Sequence, residues 1–357
     1  MRPDCLESAA PYILPYDDVE PRFATEPRFC GALASVLGKV QIGARSVLAP
    51  NTVIRGDGHF VRIGDDFHLG ELSTVHIAHE VYPAIIGDGV TVGRNAVVHA
   101  CTVGDRCVIE DDVVILDGSV IEDGVLIEAG STVFPRSTLM AGRVYSGSPT
   151  KAIRELSSIE RSNRELRVQE RTSARTNLIS RSSPSEYALR DDIFVAQTAR
   201  LAGRITLERH SSVFFGCHLD AGKNSIVIGE HSNIQDNTCI YCTGDQVTIG
   251  RCTTIGHNVR IKSCHIGQRT LVGIGSTVSP GTIIDDDVLL AAGSTTTEGQ
   301  YLGRGWMWGG RPARPISQIN DAKRAMMAEI IEHYRYYGRA YHCAQGAARP
   351  AIWKQGK

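Results

Sequence analysis

Aromatic residues make up only 6% of this 357-residue chain, and its charges nearly cancel, leaving a formal net charge of −1. A balance so near neutral gives no reason to expect nucleic acid or an anionic membrane as partner. No apolar run approaches the roughly 18 residues that a membrane span needs. The opening stretch, MRPDCLESAAPYILPYDDVE, has no apolar core behind a basic start, so no secretory leader is expected. The ten cysteines follow no disulfide-framework spacing. Cys239 and Cys242 form a CxxC ("CIYC"), but no second pair completes a zinc knuckle, and both lie inside a repeating β pattern. A reducing, cytoplasmic compartment is the expectation.

Glycine, by contrast, is plentiful at 36 residues, and a six-residue beat runs through the chain. Aliphatic residues recur at Val36, Ile42, Leu48 and Ile54, then Ile63, Leu69 and Val75, then Ile86, Val92 and Val98. The beat continues at Val103, Ile109, Ile115, Ile121, Ile127 and Val133. A small residue such as Ser46, Thr52, Ser73, Ala96, Ser119 or Ser131 stands four places after many of them, and glycine or an acid often follows directly. A period of six fits neither an amphipathic helix nor an isolated strand. It fits a solenoid whose short flat strands each send one aliphatic side chain inward.

The same beat returns at Val195, Leu201, Leu207, Val213 and Leu219, then Ile228, Ile234 and Ile240. It resumes at Ile249, Ile255 and Ile261, then Ile266, Val272, Val278, Ile284 and Leu290. Each copy has one nine-residue step (Ile54 to Ile63; Leu219 to Ile228) and one five-residue step (Val98 to Val103; Ile261 to Ile266). Shared irregularities argue for duplication more strongly than a shared period. The chain therefore reads as two tandem β-helix domains, 25–150 and 188–316. Residues 151–187 start with helical spacing and Glu/Arg pairs, then become Ser/Arg/Thr-rich, as expected of a solvated helix and tether. Residues 317–343 read as an amphipathic C-terminal helix, with Ile319, Met326, Ile330 and Tyr334 among its apolar positions.

Several stretches go beyond a generic hexapeptide repeat. NTVIRGDGHFVRIGDD, STVHIAHE, VTVGRNAVVHACTVGDRCVI and SGSPTKAIREL in the first copy resemble the γ-class carbonic anhydrases and their relatives, as do NSIVIGEHSNIQDNTCIYCT, TTIGHNVRIKSCHIG and WGGRPARPI in the second. The resemblance implies left-handed parallel β-helices, a homo-oligomer assembled through β-helix faces, and zinc held by three histidines at a subunit interface, two from one subunit and one from its neighbour. Iron or cobalt could replace the zinc. The matching positions are His76, Arg94 and His99 in the first copy and Tyr241, His257 and Lys262 in the second. Neither copy alone has three histidines; together they hold one for each position.

Other positions of the resemblance divide the same way. Arg55 and Asp57 stand in the first copy where the second has Asp220 and Gly222. Asn233, Gln235 and Asp236 stand in the second where the first has His68, Gly70 and Glu71. Duplication followed by complementary loss would leave one metal site, His76, His99 and His257, shared between unlike domains. The implied roles are orientation of water or substrate by Gln235, proton relay by His79, and support of the interface by Arg55, Asp57 and Asp236. The implied activity is attack of hydroxide on CO2 or another small carbonyl compound. Two alternatives stand beside it: a CoA-linked thioesterase or acyltransferase on the same coils, with a histidine as general base, and a non-catalytic assembly protein with degenerate sites. Random loss in both copies would also leave scattered histidines, and Arg94 would bring a fixed positive charge towards a metal position of its own copy.

Overall fold

The computed structural model describes residues 10–173 and 192–347, so the later part of the expected tether lies outside the described residues. The described residues fall into two compact units, one within residues 10–173 and one within residues 192–346. Each is a parallel β-helix of short stacked strands, and the described residues contain two helices, α1 (Ser158–Ser173) and α2 (Asp321–Ala347).

The six-residue beat is the core. In the first unit Leu69, Val92, Ile109 and Ile127 lie in register on successive coils, all fully buried, and form one inward column. In the second, Ile234, Ile255, Val272 and Leu290 do the same. Burying each such side chain contributes about 1.5–3 kcal/mol, which explains why an aliphatic is kept at almost every sixth place. The small residues are buried too, and some bind corner backbone through their hydroxyls: Ser73 donates to the Gly93 carbonyl (2.7 Å) and accepts from the Ala96 amide (3.0 Å).

The two irregular steps have physical causes. Strand Val53–Ile63 runs unbroken round a corner, pairing with Thr74–Val75 at one end and Ala84–Ile86 at the other. Strand His218–Ile228 does the same against Cys239–Tyr241 and Val247–Ile249. The five-residue step in the first unit is a tight corner at Ala100, which adopts a left-handed conformation (φ 49°) directly after His99. The duplication therefore preserves a long corner strand and a short corner, which bracket the candidate site.

The helices differ from the sequence expectation in detail. Residues 150–155 form a strand antiparallel to Arg143–Gly147, so α1 begins only at Ser158. It is not wholly solvated: Val168 is buried against Val108, Leu126 and Val144, and Arg164 pairs with Glu110 and Glu128 at 3.0 and 3.2 Å. Helix α2 buries Met327, Ile331, Tyr334, Tyr337 and Tyr341, while Met326 is 41% exposed. Its face is set by rings the hydrophobic pattern alone did not weigh, since Phe214 packs edge-on to Tyr334 and Phe215 to Tyr341.

Candidate metal centre

His76 ends the strand Thr74–His76, and His99 ends the strand Val97–His99 one coil further on, in direct register. Stacking of coils thus brings together two side chains 23 residues apart, with His76 Nδ1 3.3 Å from His99 Nε2. Both residues are buried, at 3% and 9% exposure. The other ring nitrogen of each meets a carboxylate. His76 Nε2 lies 2.8 Å from Asp57 Oδ1, and His99 Nδ1 lies 2.6 Å from Asp117 Oδ1. Asp57 in turn holds the Arg55 guanidinium, with both side chains wholly buried. The row therefore runs Arg55, Asp57, His76, His99, Asp117.

Those carboxylates assign the tautomers. A carboxylate is an acceptor, so His76 carries its proton on Nε2 and His99 on Nδ1. The two remaining lone pairs then point towards each other, an arrangement that a shared proton or a cation relieves. Two ligand nitrogens on a tetrahedral zinc, each about 2.0–2.1 Å from it, stand about 3.3–3.4 Å apart. The observed separation matches, and carboxylates that orient ligand imidazoles from behind are usual at zinc sites. The donors present fit such an ion.

Arg94, the residue at the third position in this copy, is tied to Asp111 through Nε (3.1 Å) and Nη2 (2.6 Å), with Arg171 of α1 3.5 Å from the same carboxylate. Its charge is therefore paired. Asp111 reaches it over Gly93, where a Cβ would lie 2.6 Å from Asp111 Oδ1. His79 sits in the loop between Ala78 and Tyr82 and lies over Gly58, so closely that a Cβ there would overlap its Nδ1. Gly58 directly follows Asp57, so His79 lies near the carboxylate that backs His76. His68, at the place where the second copy has Asn233, is buried, which pushes its pKa down to about 4.

In the second unit His257 lies on the turn after strand Thr254–Ile255, 1% exposed. Asp236 Oδ2 stands 3.2 Å from its Nδ1, and the Tyr334 hydroxyl of α2 is 3.2 Å from its Nε2. Asp236 is also anchored by the Phe215 amide at 3.1 Å. Gln235, buried, donates to Asn233 Oδ1 at 3.3 Å, and Asn233 donates to the Thr254 hydroxyl at 3.0 Å. Tyr241 and Lys262, in register where the first unit has its histidines, make no imidazole pair: Tyr241 bonds His218 at 3.1 Å, and Lys262 is exposed. Tyr334 was legible only as an apolar helix position; its contact with His257 depends on how α2 lies across the coils.

The described cysteines are free, and burial raises the pKa of both Cys239 and Cys242, which makes neither a ready thiolate. No helix among the described residues is long and apolar enough to cross a membrane.

Comparison with known proteins agrees with the coils. Residues 100–135 match the bacterial transferase hexapeptide (six repeats) model, and residues 265–298 match the hexapeptide repeat of succinyl-transferase. Protein YrdA of Escherichia coli is 38% identical over 153 residues, 41% of this chain and 83% of that one. Gamma carbonic anhydrase 2, mitochondrial, of Arabidopsis thaliana is 37% identical over 150 residues, 40% of this chain and 54% of that protein. This chain belongs to the γ-carbonic-anhydrase-like hexapeptide-repeat family. It spans a little over half the length of the plant relatives it matches. A putative acetyltransferase from Desulfovibrio desulfuricans G20 is 16% identical, covers 94% of this chain and 82% of its own, and has a TM-score of 0.60, a likeness of fold.

Proposed function

We propose that the chain is a zinc-dependent hydratase acting on CO2 or another small carbonyl compound, with His76 and His99 of the first unit and His257 of the second as ligands of one ion. Iron or cobalt is the nearest substitute. The observation that carries this reading is the carboxylate-backed pair of imidazoles with facing nitrogens 3.3 Å apart. Three neutral imidazoles and an open fourth position suit catalysis rather than structure. A metal so held supplies Lewis acidity that brings the pKa of water to about 7.

The chain's own residues then divide the remaining work. Asp57 and Asp117 keep the protons of His76 and His99 on the outer nitrogens. Asp236 stands 3.2 Å from His257 Nδ1 without hydrogen-bond geometry, and its charge favours a proton on that nitrogen, leaving Nε2 as the ligand atom beside the Tyr334 hydroxyl. Gln235, steadied by Asn233, presents its amide to water or to the carbonyl oxygen of the substrate. His79, in the loop over Gly58, is the proton relay of this reading.

The test is metal content after purification with supplied zinc, read beside CO2 hydration by stopped flow. His76→Ala, His99→Ala and His257→Ala should each lose both, because two imidazoles and water hold zinc poorly. Tyr241→Ala and Lys262→Ala should keep both. Zinc retained at wild-type level in His257→Ala would remove the shared site. Zinc present with no hydratase activity would keep the site and discard the substrate.

A further inference from the structure

The second unit holds a cavity of about 400 Å³ between its first coils and helix α2, outside the histidine row. Its walls are held firmly. The Gln345 side chain accepts from the Gln197 amide (2.8 Å) and donates to the Val195 carbonyl (3.2 Å), which fastens the end of α2 to the coil. Gly338 lets the helix close on Phe194, since a Cβ there would lie 3.3 Å from the Phe194 Cβ. Tyr341, wholly buried, fills the angle between Phe194 and Phe215.

The lining combines flat apolar surface with positive charge. Phe194 and Tyr334 supply rings, and Arg335, Arg339, His210 and His342 surround them. Arg335 gives Nη1 to both oxygens of Glu332 at 2.9 and 2.8 Å, but its Nε is buried without a hydrogen-bond partner. Among the described residues Arg339, one helical turn on, has no ion-pair partner. Asp192, the acid in the lining, lies 3.4 Å from Arg209 Nε. His231, stacked on His210 at 4.9 Å, is held below the usual histidine range by burial first and then by Arg335, in keeping with a positive field.

We infer that this cavity binds a small organic anion, a carboxylate or phosphate carried on a flat ring. Its volume lies within the range of small-molecule sites. A buried guanidinium N–H without an acceptor is costly, and an anionic oxygen satisfies it with a charge-assisted bond. Rings stack on Phe194 and Tyr334 in the offset or edge-on arrangements that aromatic pairs prefer. The anion lies towards Arg335 and Arg339, and the ring lies inward.

The experiment titrates the full chain, freed of metal with chelator, with four probes: phenyl phosphate, benzoate, benzyl alcohol and inorganic phosphate. Calorimetry or NMR shifts of α2 amides give the affinities. A ring carrying an anion should bind with a Kd of about 1 mM or tighter. Benzyl alcohol and inorganic phosphate should each bind at least about tenfold more weakly, because each lacks one half of the recognition. The ratio of phenyl phosphate to benzoate tells which headgroup the cavity prefers. Arg339→Gln changes an exposed side chain, leaves the fold intact and should weaken binding about tenfold; Arg335→Gln should do so too, with melting temperature as the check on folding. Equal binding of inorganic phosphate and phenyl phosphate, wild-type affinity in Arg339→Gln, or no ring anion bound below about 10 mM would each overturn the inference.

Discussion

Asp57→Asn separates the two things that Asp57 does. Its carboxylate holds the Arg55 guanidinium with one oxygen and His76 Nε2 with the other, and both Arg55 and Asp57 are wholly buried. Removing one partner of a buried ion pair costs about 3–5 kcal/mol, and asparagine, which keeps one acceptor oxygen, falls at the lower end, about 3 kcal/mol. Asp117→Asn is the matched control, because it too holds a site histidine, but its side chain is 42% exposed. Its stability cost should stay under about 1 kcal/mol. Hydrogen exchange at the amides of Val97–His99, measured in metal-free protein, reads the first unit without assuming that the whole chain unfolds in one step. Asp57→Asn should speed that exchange by roughly 100-fold and Asp117→Asn by less than about tenfold. Zinc affinity should nevertheless fall by about 10–100-fold in both, since each frees an imidazole to take the wrong tautomer. Similar exchange in the two variants would refute the reasoning about Arg55. Unchanged zinc affinity in both would refute the reasoning about tautomers.

Three further outcomes follow from the same geometry. Mixing His76→Ala chains with His257→Ala chains, unfolding and refolding them together, should restore zinc binding if the ligands come from different chains of a homo-oligomer, and should restore none if they come from one chain. Gly58→Ala places a methyl where His79 Nδ1 lies, at a backbone φ of +79°, so it should slow proton transfer while leaving zinc content unchanged, with partial rescue by imidazole buffer in stopped flow. Burial holds His68 near 4, below its unfolded value, so its neutral form stabilises the fold above about pH 6.5 and that stability is lost as pH falls towards 4. The slope should approach about 1.4 kcal/mol per pH unit across that window, and urea melts of His68→Gln should flatten it.

The fold was legible because its cause is repetitive. One inward aliphatic per six residues leaves a mark at Val92, Ile109 and Ile127 that no other architecture explains, and the buried columns follow it. The pair His76 and His99 was legible through family motifs, and coil stacking then explains how a 23-residue separation becomes direct contact. Helix positions were less legible. Met326 and Met327 are equally apolar as letters, and the choice between them is made by the cluster of Leu289 and Ile319 that Met327 joins. Asp117 and Tyr334 were missed for a related reason: each acts on a histidine from another coil or element, and no spacing rule connects them.

Scattered survival of histidines is the strongest competitor to a shared site, and the carboxylates bear on it. Random loss has no reason to spare a ligand together with the acid behind it. Matching the copies through their common register, Val98 with Ile115 in one and Ile261 with Val278 in the other, sets Asp117 against Pro280. Asp57 likewise stands against Gly222. The unit that keeps His76 and His99 therefore also keeps their two carboxylates, and the unit that lost both histidines lost both acids. At the third position the second unit keeps His257 with Asp236. The first has Glu71 in place of that aspartate and Arg94 in place of that histidine, and Arg94 is paired chiefly with Asp111, which raises its pKa, with Glu71 a smaller contributor. Each of the three histidines stands with an acid of its own unit, the pairing that selection for a working imidazole set would leave, and this favours the proposed shared site over independent loss.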